Sequence, residues 1–248
     1  MFDRRARHVP VPVLSVAATA GFLGLAGLAG CSGGSHTATG GTTGITVSNK
    51  SGNFGAQQLK SALLTRINGD APISAPNAGS YSSLPGVQAA AAQMNGVTVT
   101  PSQCMPATVL QGAVLDTGAL GTAPAAVVNF RVVTNGVSEV LATPPSQAVA
   151  TALGRPIPAG CTHYTASAGG RTYQYTVKQD WVQGIGKKTA RVLNISLQGQ
   201  KAPASVWSVV FQGSGFIGAV SVDGPNASEA AVRELGQQAY QYAAKTLS

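Results

Sequence analysis

Acidic side chains are scarce in this chain, with eight Asp and Glu against sixteen Lys and Arg in 248 residues, and histidine is scarcer still at three. Beyond the N-terminal region His163 stands alone. A metal centre needs several His, Cys, Asp or Glu side chains at ligand spacing. A Ser-His-Asp relay needs His163 to meet both a nucleophile and a carboxylate. Neither pattern is present, and Gly213-Ser214-Gly215, the nearest approach to a nucleophile elbow, lies between two expected strands and reads as a hairpin. No catalytic residue, metal or cofactor is therefore expected. Charged residues make up 10% of the chain, and Lys187, Lys188 and Arg191 form the one tight basic cluster. A nucleic-acid reader concentrates its bases on one stripe with interleaved aromatics, so that class is excluded. A continuous apolar run of membrane-spanning length, ~20 residues, is also lacking. The longest such run, residues 11–29, contains Pro12, Ser15 and Thr19.

That run has a different use. Arg4, Arg5 and Arg7 precede it and Leu28-Ala29-Gly30-Cys31 closes it, which is the anatomy of an export signal: charged head, apolar middle, small-residue processing site. The quartet resembles the lipobox of bacterial lipoproteins. The resemblance implies that Cys31 is acylated on its sulfur, becomes the first residue of the mature chain, and holds it on the extracytoplasmic face of the cell membrane. A plain cleavable signal and an uncleaved anchor are the alternatives. The expected organisation is a signal peptide over 1–30, the lipidated Cys with a flexible linker over 31–55, and one folded domain over 56–248. Residues 32–53 are almost wholly Gly, Ser, Thr, Ala and Asn, too poor in apolar area to repay ordering. The remainder is long enough for one sizeable core. Taking Arg4, Arg5, Arg7 and Asp3 from the net +8 leaves +6, a mildly basic surface suited to anionic headgroups.

Besides Cys31 there are Cys104 and Cys161. Outside the cytoplasm a lone pair reads as a disulfide, and bridging that separation stabilises by roughly 4 kcal/mol on the chain-entropy model. Metal ligation with His163 lacks further ligands, and two free thiols are the third reading.

Leu59, Leu63, Leu64 and Ile67 recur at helical spacing ahead of Gly69 and predict a helix over 55–68. Residues 70–86, rich in Pro and Ser, read as a loop, and an Ala run predicts a short helix over 87–94 stopped by Asn95-Gly96. Thr100-Pro101-Ser102-Gln103 has the elements of a capping box opening a helix toward Gln111. Alternation predicts strands over 125–134 and 137–142 joined at Asn135-Gly136, a strong hairpin signal. A helix follows over 146–153. Further strands are expected over 161–167, 172–178, 189–197, 206–211 and 216–222. An amphipathic helix over 229–247, with Ala231, Leu235, Ala239, Tyr242 and Ala243 on its apolar side, closes the chain. The fold class is α+β: a single domain, an antiparallel sheet of about six or seven strands with helices on one face.

The early helix, Cys104 in its Thr-Pro-Ser-Gln setting, Trp181 with Gly184-Ile185-Gly186, the strands carrying Arg191 and Trp207, and the terminal helix resemble the soluble domains of actinobacterial, mycobacterial-type surface lipoproteins. In layout they are similar to the PknH-like extracellular sensor domain group. That group is known for two disulfides where this chain has cysteines for one. The resemblance implies a central cleft and no catalytic residue. Tyr173, Tyr175, Trp181 and Trp207 are the candidate cleft residues, facing a small apolar ligand in a non-catalytic ligand-binding or sensing domain. A structural or docking module for an envelope protein or cell-wall polymer, with Lys187, Lys188 and Arg191 as its contact, is the alternative. A lipid carrier is the second.

Overall fold

Runs rich in β-branched and aromatic residues, several of them apolar on both sides, build one continuous sheet. The computed structural model describes residues 54–105, 120–145, 156–187, 190–198 and 204–248. Cys31, the signal, the linker and the helix expected over 146–153 lie outside the described residues. The strands are β1 (Asn77–Ser80), β2 (Thr98–Thr100), β3 (Pro124–Val132), β4 (Asn135–Ala142) and β5 (His163–Ala168), then β6 (Arg171–Val182), β7 (Ala190–Gln198), β8 (Ala204–Gln212) and β9 (Ile217–Asp223). Their order is β1-β3-β4-β9-β8-β7-β6-β5-β2, every neighbour antiparallel. β5 to β9 form a meander whose last strand closes against β4, so the β3–β4 hairpin and the meander become one surface. The sheet has nine strands rather than six or seven. The two additions are its edges, β1 in the stretch expected as a loop and β2 a three-residue strand, both too short to show a period.

Helix α1 (Ala56–Ser61) is shorter than expected, opened by Gln58 Oε1 accepting the Gly55 N–H at 2.8 Å. The chain leaves the helix after Ser61 yet keeps Leu63, Leu64 and Ile67 buried, and Asn68 and Gly69 turn it back at positive φ. Helix α2 (Pro85–Met94) carries Pro at its first position and stops at Asn95, followed by Gly96 at positive φ, as expected. Helix α3 (Glu229–Thr246) begins where Ser228 Oγ accepts the Ala231 N–H at 3.2 Å, with Glu229 in its first turn and Lys245 in its last, matching the helix dipole. The capping box expected at residue 100 does not form. Thr100 is committed to β2 and a 3-10 turn forms over Ser102–Cys104, while the stretch from there toward Gln111, where a helix is expected, lies outside the described residues beyond Met105.

The expected hairpin joins β3 and β4, but its turn is Val133-Thr134, with Val133 at φ 56°, two residues before the predicted pair. Asn135 and Gly136 are paired strand residues with other uses. Asn135 Oδ1 accepts the Asn226 N–H at 3.2 Å, and a Cβ on Gly136 would stand 2.5 Å from Asp223 Oδ1. Burial pushes the Asp223 carboxyl up, against the pull of Arg131.

Alternation divides the core between the two faces of the sheet. On one face α1 and α3 cover Ala126, Val128, Phe130, Leu141, Val209, Phe211, Val220 and Val222. On the other, Tyr81 and Leu84, just ahead of α2, and Val87 in its first turn cover Val127, Val140, Val210 and Ala219. The helices therefore occupy both faces, not one. The chain from β1 to β2 must pass from one edge of the sheet to the other, and α1 and α3 already take the first face. Val99, Cys104, Cys161, Tyr164 and Tyr175 fill the β5–β6 end of the second face.

Helix α3 meets the sheet through Val232, Gly236, Ala239 and Ala243, a stripe that keeps the expected Ala239 and Ala243, with Leu235 packed beside it, but is rotated toward Val232 and Gly236, leaving Tyr242 exposed. Gly236 sets that rotation, because a Cβ there would stand 2.4 Å from Val209 Cγ1, on a side chain with no exposed surface. Glycine inside a helix costs about 0.5–1 kcal/mol relative to alanine, so its place here is a matter of close approach. Gly236→Ala is expected to lose roughly 1–3 kcal/mol net through overpacking, read as a lower denaturation midpoint; an unchanged or raised midpoint would show that α3 can lift from the sheet freely.

Candidate functional site

Strand β6 is long, and beyond Val177 its pattern turns polar with Lys178, Gln179 and Asp180. It remains a strand because β7 pairs it to the end, Val182 opposite Ala190. Thr176, Lys178 and Asp180 share the face that carries α3, opposite Ser196, Asn194 and Val192 of β7. Asn194 in turn lies opposite Trp207 of β8, and Thr176 lies opposite His163 of β5. Lys178, Asn194 and Trp207 thus form one cross-strand row on a single face.

Helix α3 does not cover the β5–β6 end of this face, and an open groove of about 760 Å³ remains there. Its floor is Trp207, Val192, Thr176, Lys178 and Asp180, with His163, Thr162 and Ile157 at one side and Glu229 of α3 at the other. The volume lies within the range of small-molecule sites, about 300–1,000 Å³.

Beneath the groove the polar groups are fixed to one another. Asn194 is buried; its Nδ2 donates to Ser205 Oγ at 2.8 Å and to the Val206 carbonyl at 3.3 Å, and its Oδ1 accepts from Ser196 Oγ at 3.0 Å. Gln198 Nε2 donates to Thr176 Oγ1 at 3.3 Å. At the α3 wall the Arg233 guanidinium contacts Glu229 one turn earlier and lies 3.8 Å from Asp180 Oδ2. Asp180 Oδ1 accepts the Trp181 N–H at 2.8 Å. Two cations, Lys178 and Arg233, therefore stand with two carboxylates, Asp180 and Glu229, and the charges of the described groove residues are balanced. His163 Nδ1 is 3.3 Å from Thr162 Oγ1. Among the described residues no cluster of three metal-ligating side chains occurs.

No protein-family model matches the chain, and no curated protein sequence does. Among solved structures it is similar to the extracellular domain of PknH from Mycobacterium tuberculosis, at 13% identity and a TM-score of 0.45, over 78% of this chain and 97% of that one. It is also similar to an uncharacterized Mycobacterium smegmatis protein, the Rv0999 ortholog, at 14% identity and a TM-score of 0.36, over 70% of this chain and 84% of that one. The PknH group that the residues resemble is thus among these neighbours. At such values the groove has to be understood from its own side chains.

The four aromatics expected to line one cleft are not brought together. Tyr173, Tyr175 and Trp181 are odd-numbered residues of β6 and face away from the groove, while Trp207 faces into it. Tyr175 is core, stacked on Tyr164 with ring centroids 5.1 Å apart. Trp181 is 44% exposed on the second face, opposite Arg191 in register. The basic contact expected at Lys187, Lys188 and Arg191 is not a surface cluster either. Arg191 is buried to 1% exposure, and desolvation pulls its guanidinium below the ordinary value; Lys188 lies outside the described residues. Reasoning from residue type missed Thr176, Lys178, Glu229 and Arg233. The parity of β6 was a usable signal, since it separates Lys178 and Asp180 from the three aromatics, but placing Trp207 needs the β7–β8 register.

Cys104 and Cys161 are joined, with sulfurs 2.03 Å apart and both residues fully buried, tying the turn after β2 to the start of β5.

Proposed function

We propose that this chain is a lipid-anchored, extracytoplasmic binding domain that holds a ligand in the groove over Trp207 and does not transform it. The observation that carries the reading is the groove itself: an open seat of small-molecule size, with one Trp ring, and with the Thr176 hydroxyl and the Asp180 carboxylate on its floor already held by partners. Pre-formed polar groups beside one apolar surface bind and orient. Catalysis asks for a base aligned on a nucleophile and held by a third group. Among the described groove residues the two carboxylates face Arg233 instead, and His163 bonds only its neighbouring threonine.

Anchoring at Cys31 is supported by the Leu28-Ala29-Gly30-Cys31 quartet at the end of an apolar run behind three arginines. No described helix is long and apolar enough to cross a membrane. Cys31→Ala is expected to move the protein from the membrane fraction to the soluble extracytoplasmic fraction. Unchanged membrane retention would place the anchor elsewhere.

A further inference from the structure

We infer that the ligand of this groove is an uncharged saccharide, seated with one sugar ring against the indole of Trp207. The inference rests on the binding reading above and names its chemistry. Three features of the groove select the class.

The first is charge. Lys178 and Arg233 are offset by Asp180 and Glu229, and Arg233 is engaged with both carboxylates. A phosphate or carboxylate ligand would meet two acids, and a cation would meet two bases. Neither is favoured over a neutral molecule, because like charges at close range cost what opposite ones return.

The second is the amphipathic lining. Trp207 and Ile157 supply carbon surface, while Thr176, Lys178, Asp180 and His163 place hydroxyl, ammonium, carboxylate and imidazole groups around it. A sugar ring has the matching division: a face of C–H bonds with a slight positive charge, suited to the negative face of an aromatic ring, and a rim of hydroxyls that both donate and accept. An acyl chain would cover the Trp ring but leave the polar rim desolvated and unmatched, which is unfavourable.

The third is shape and rigidity. The groove is open, so a chain of sugars can continue beyond the ring that is bound. Asn194, held by Ser205, Ser196 and the Val206 carbonyl, fixes the sheet surface between Lys178 and Trp207. A pre-organised floor limits the ordering cost of binding a flexible, weakly interacting ligand.

The test uses the full lipidated chain in phosphatidylcholine vesicles and saturation-transfer NMR with four probes at millimolar concentration: chitotriose, maltotriose, palmitate and inorganic phosphate. Transfer to ring protons of at least one trisaccharide is expected. Trp207→Ala should weaken it at least tenfold and Trp207→Phe less, while Trp181→Ala, on the opposite face, leaves it unchanged. Trp207→Phe retains a ring in the core and keeps the experiment decisive should the alanine variant misfold. No transfer to either trisaccharide, or transfer indifferent to Trp207, overturns the inference. Trp207-dependent binding of palmitate or phosphate alone overturns the saccharide class and leaves the binding groove standing. Loss of any Trp207 dependence for all four probes overturns both.

Discussion

Glu139→Gln is expected to stabilise the domain at pH 9 by several kcal/mol and to change it little at pH 4. Glu139 lies on β4 between Val128 of β3 and Val220 of β9, with no exposed surface, beneath the chain that leaves α1. Its Oε2 accepts the Leu64 N–H at 2.8 Å, whereas Oε1 has no partner. Burial pushes the carboxyl up from 4.5 to about 8, and the Leu64 hydrogen bond only moderates the shift. The direction of the pH effect follows from this. Below about 4.5 both the folded and unfolded chains hold the proton, and the full stability is present. Between about 4.5 and about 8 the unfolded chain releases the proton while the folded chain keeps it. Stability then falls as pH rises, at about 1.4 kcal/mol per unit for one group. Above about 8 the folded state also ionises and the loss is complete. Glutamine cannot ionise, so the variant should lack this slope. For a domain of this size ~1 kcal/mol moves the melting temperature by roughly 2–4 °C. Thermal melts of wild type and variant at pH 4, 6, 8 and 9 measure the difference. Parallel curves across that range would mean that the carboxyl reaches water.

Glu139 also shows how far the sequence could be followed. In the run from Val137 to Ala142 it shares parity with Val137 and Leu141, so its inward direction was legible. What was not legible is the reason a carboxyl is tolerated there. The Leu64 N–H, buried just past α1, needs an acceptor, and that need appears only when α1 is laid on the sheet. The seven strands predicted from the sequence are present because each is long enough to carry a run of β-branched and aromatic residues. The edges β1 and β2 were missed for the opposite reason. Asn77-Ala78-Gly79-Ser80 and Thr98-Val99-Thr100 have little pattern of their own and become strands by pairing with β3 and β5.

The groove failed to appear for a related reason. Tyr173, Tyr175, Trp181 and Trp207 were grouped by residue type, yet a one-residue change of parity sends a side chain to the other face. Trp207 joins Lys178 only through Asn194, two strand pairings away. Glu229 enters only because α3 begins beside the end of β6. Long-range register decides which side chains share a surface, and no local window contains it. The same applies to the β3–β4 turn. Asn135-Gly136 has a strong turn preference, but contacts with Asp223, Gly224 and Asn226 fifty or more residues away hold both residues in the strand.

Removing the Cys104–Cys161 bridge should have an effect of similar size to Glu139→Gln and of opposite sign. The two residues are 57 apart in sequence, and the segment between them contains the whole β3–β4 hairpin, which lies at the far side of the sheet from β2 and β5. In the chain-entropy account, cutting a crosslink of this span releases roughly 4 kcal/mol of unfolded-state freedom. That is a large share of the roughly 5–15 kcal/mol that holds a domain together. The double variant Cys104→Ala with Cys161→Ala is therefore expected to melt ~10 °C lower. Its denaturant dependence should steepen, because the unfolded chain exposes more surface. The loss should begin locally: β2 is held by three residue pairs to β5, and the bridge anchors the turn that follows it. Amide exchange in Val99 and in the facing half of β5 should accelerate before that in β8 or β9. Because both cysteines are fully buried, reductant alone should leave the native bridge intact, and reduction should require denaturant. Titration of the unfolded, unreduced chain should find no thiol at Cys104 or Cys161. Two reactive thiols there would leave β2 without its clamp, and the double variant would then be expected to melt with the wild type.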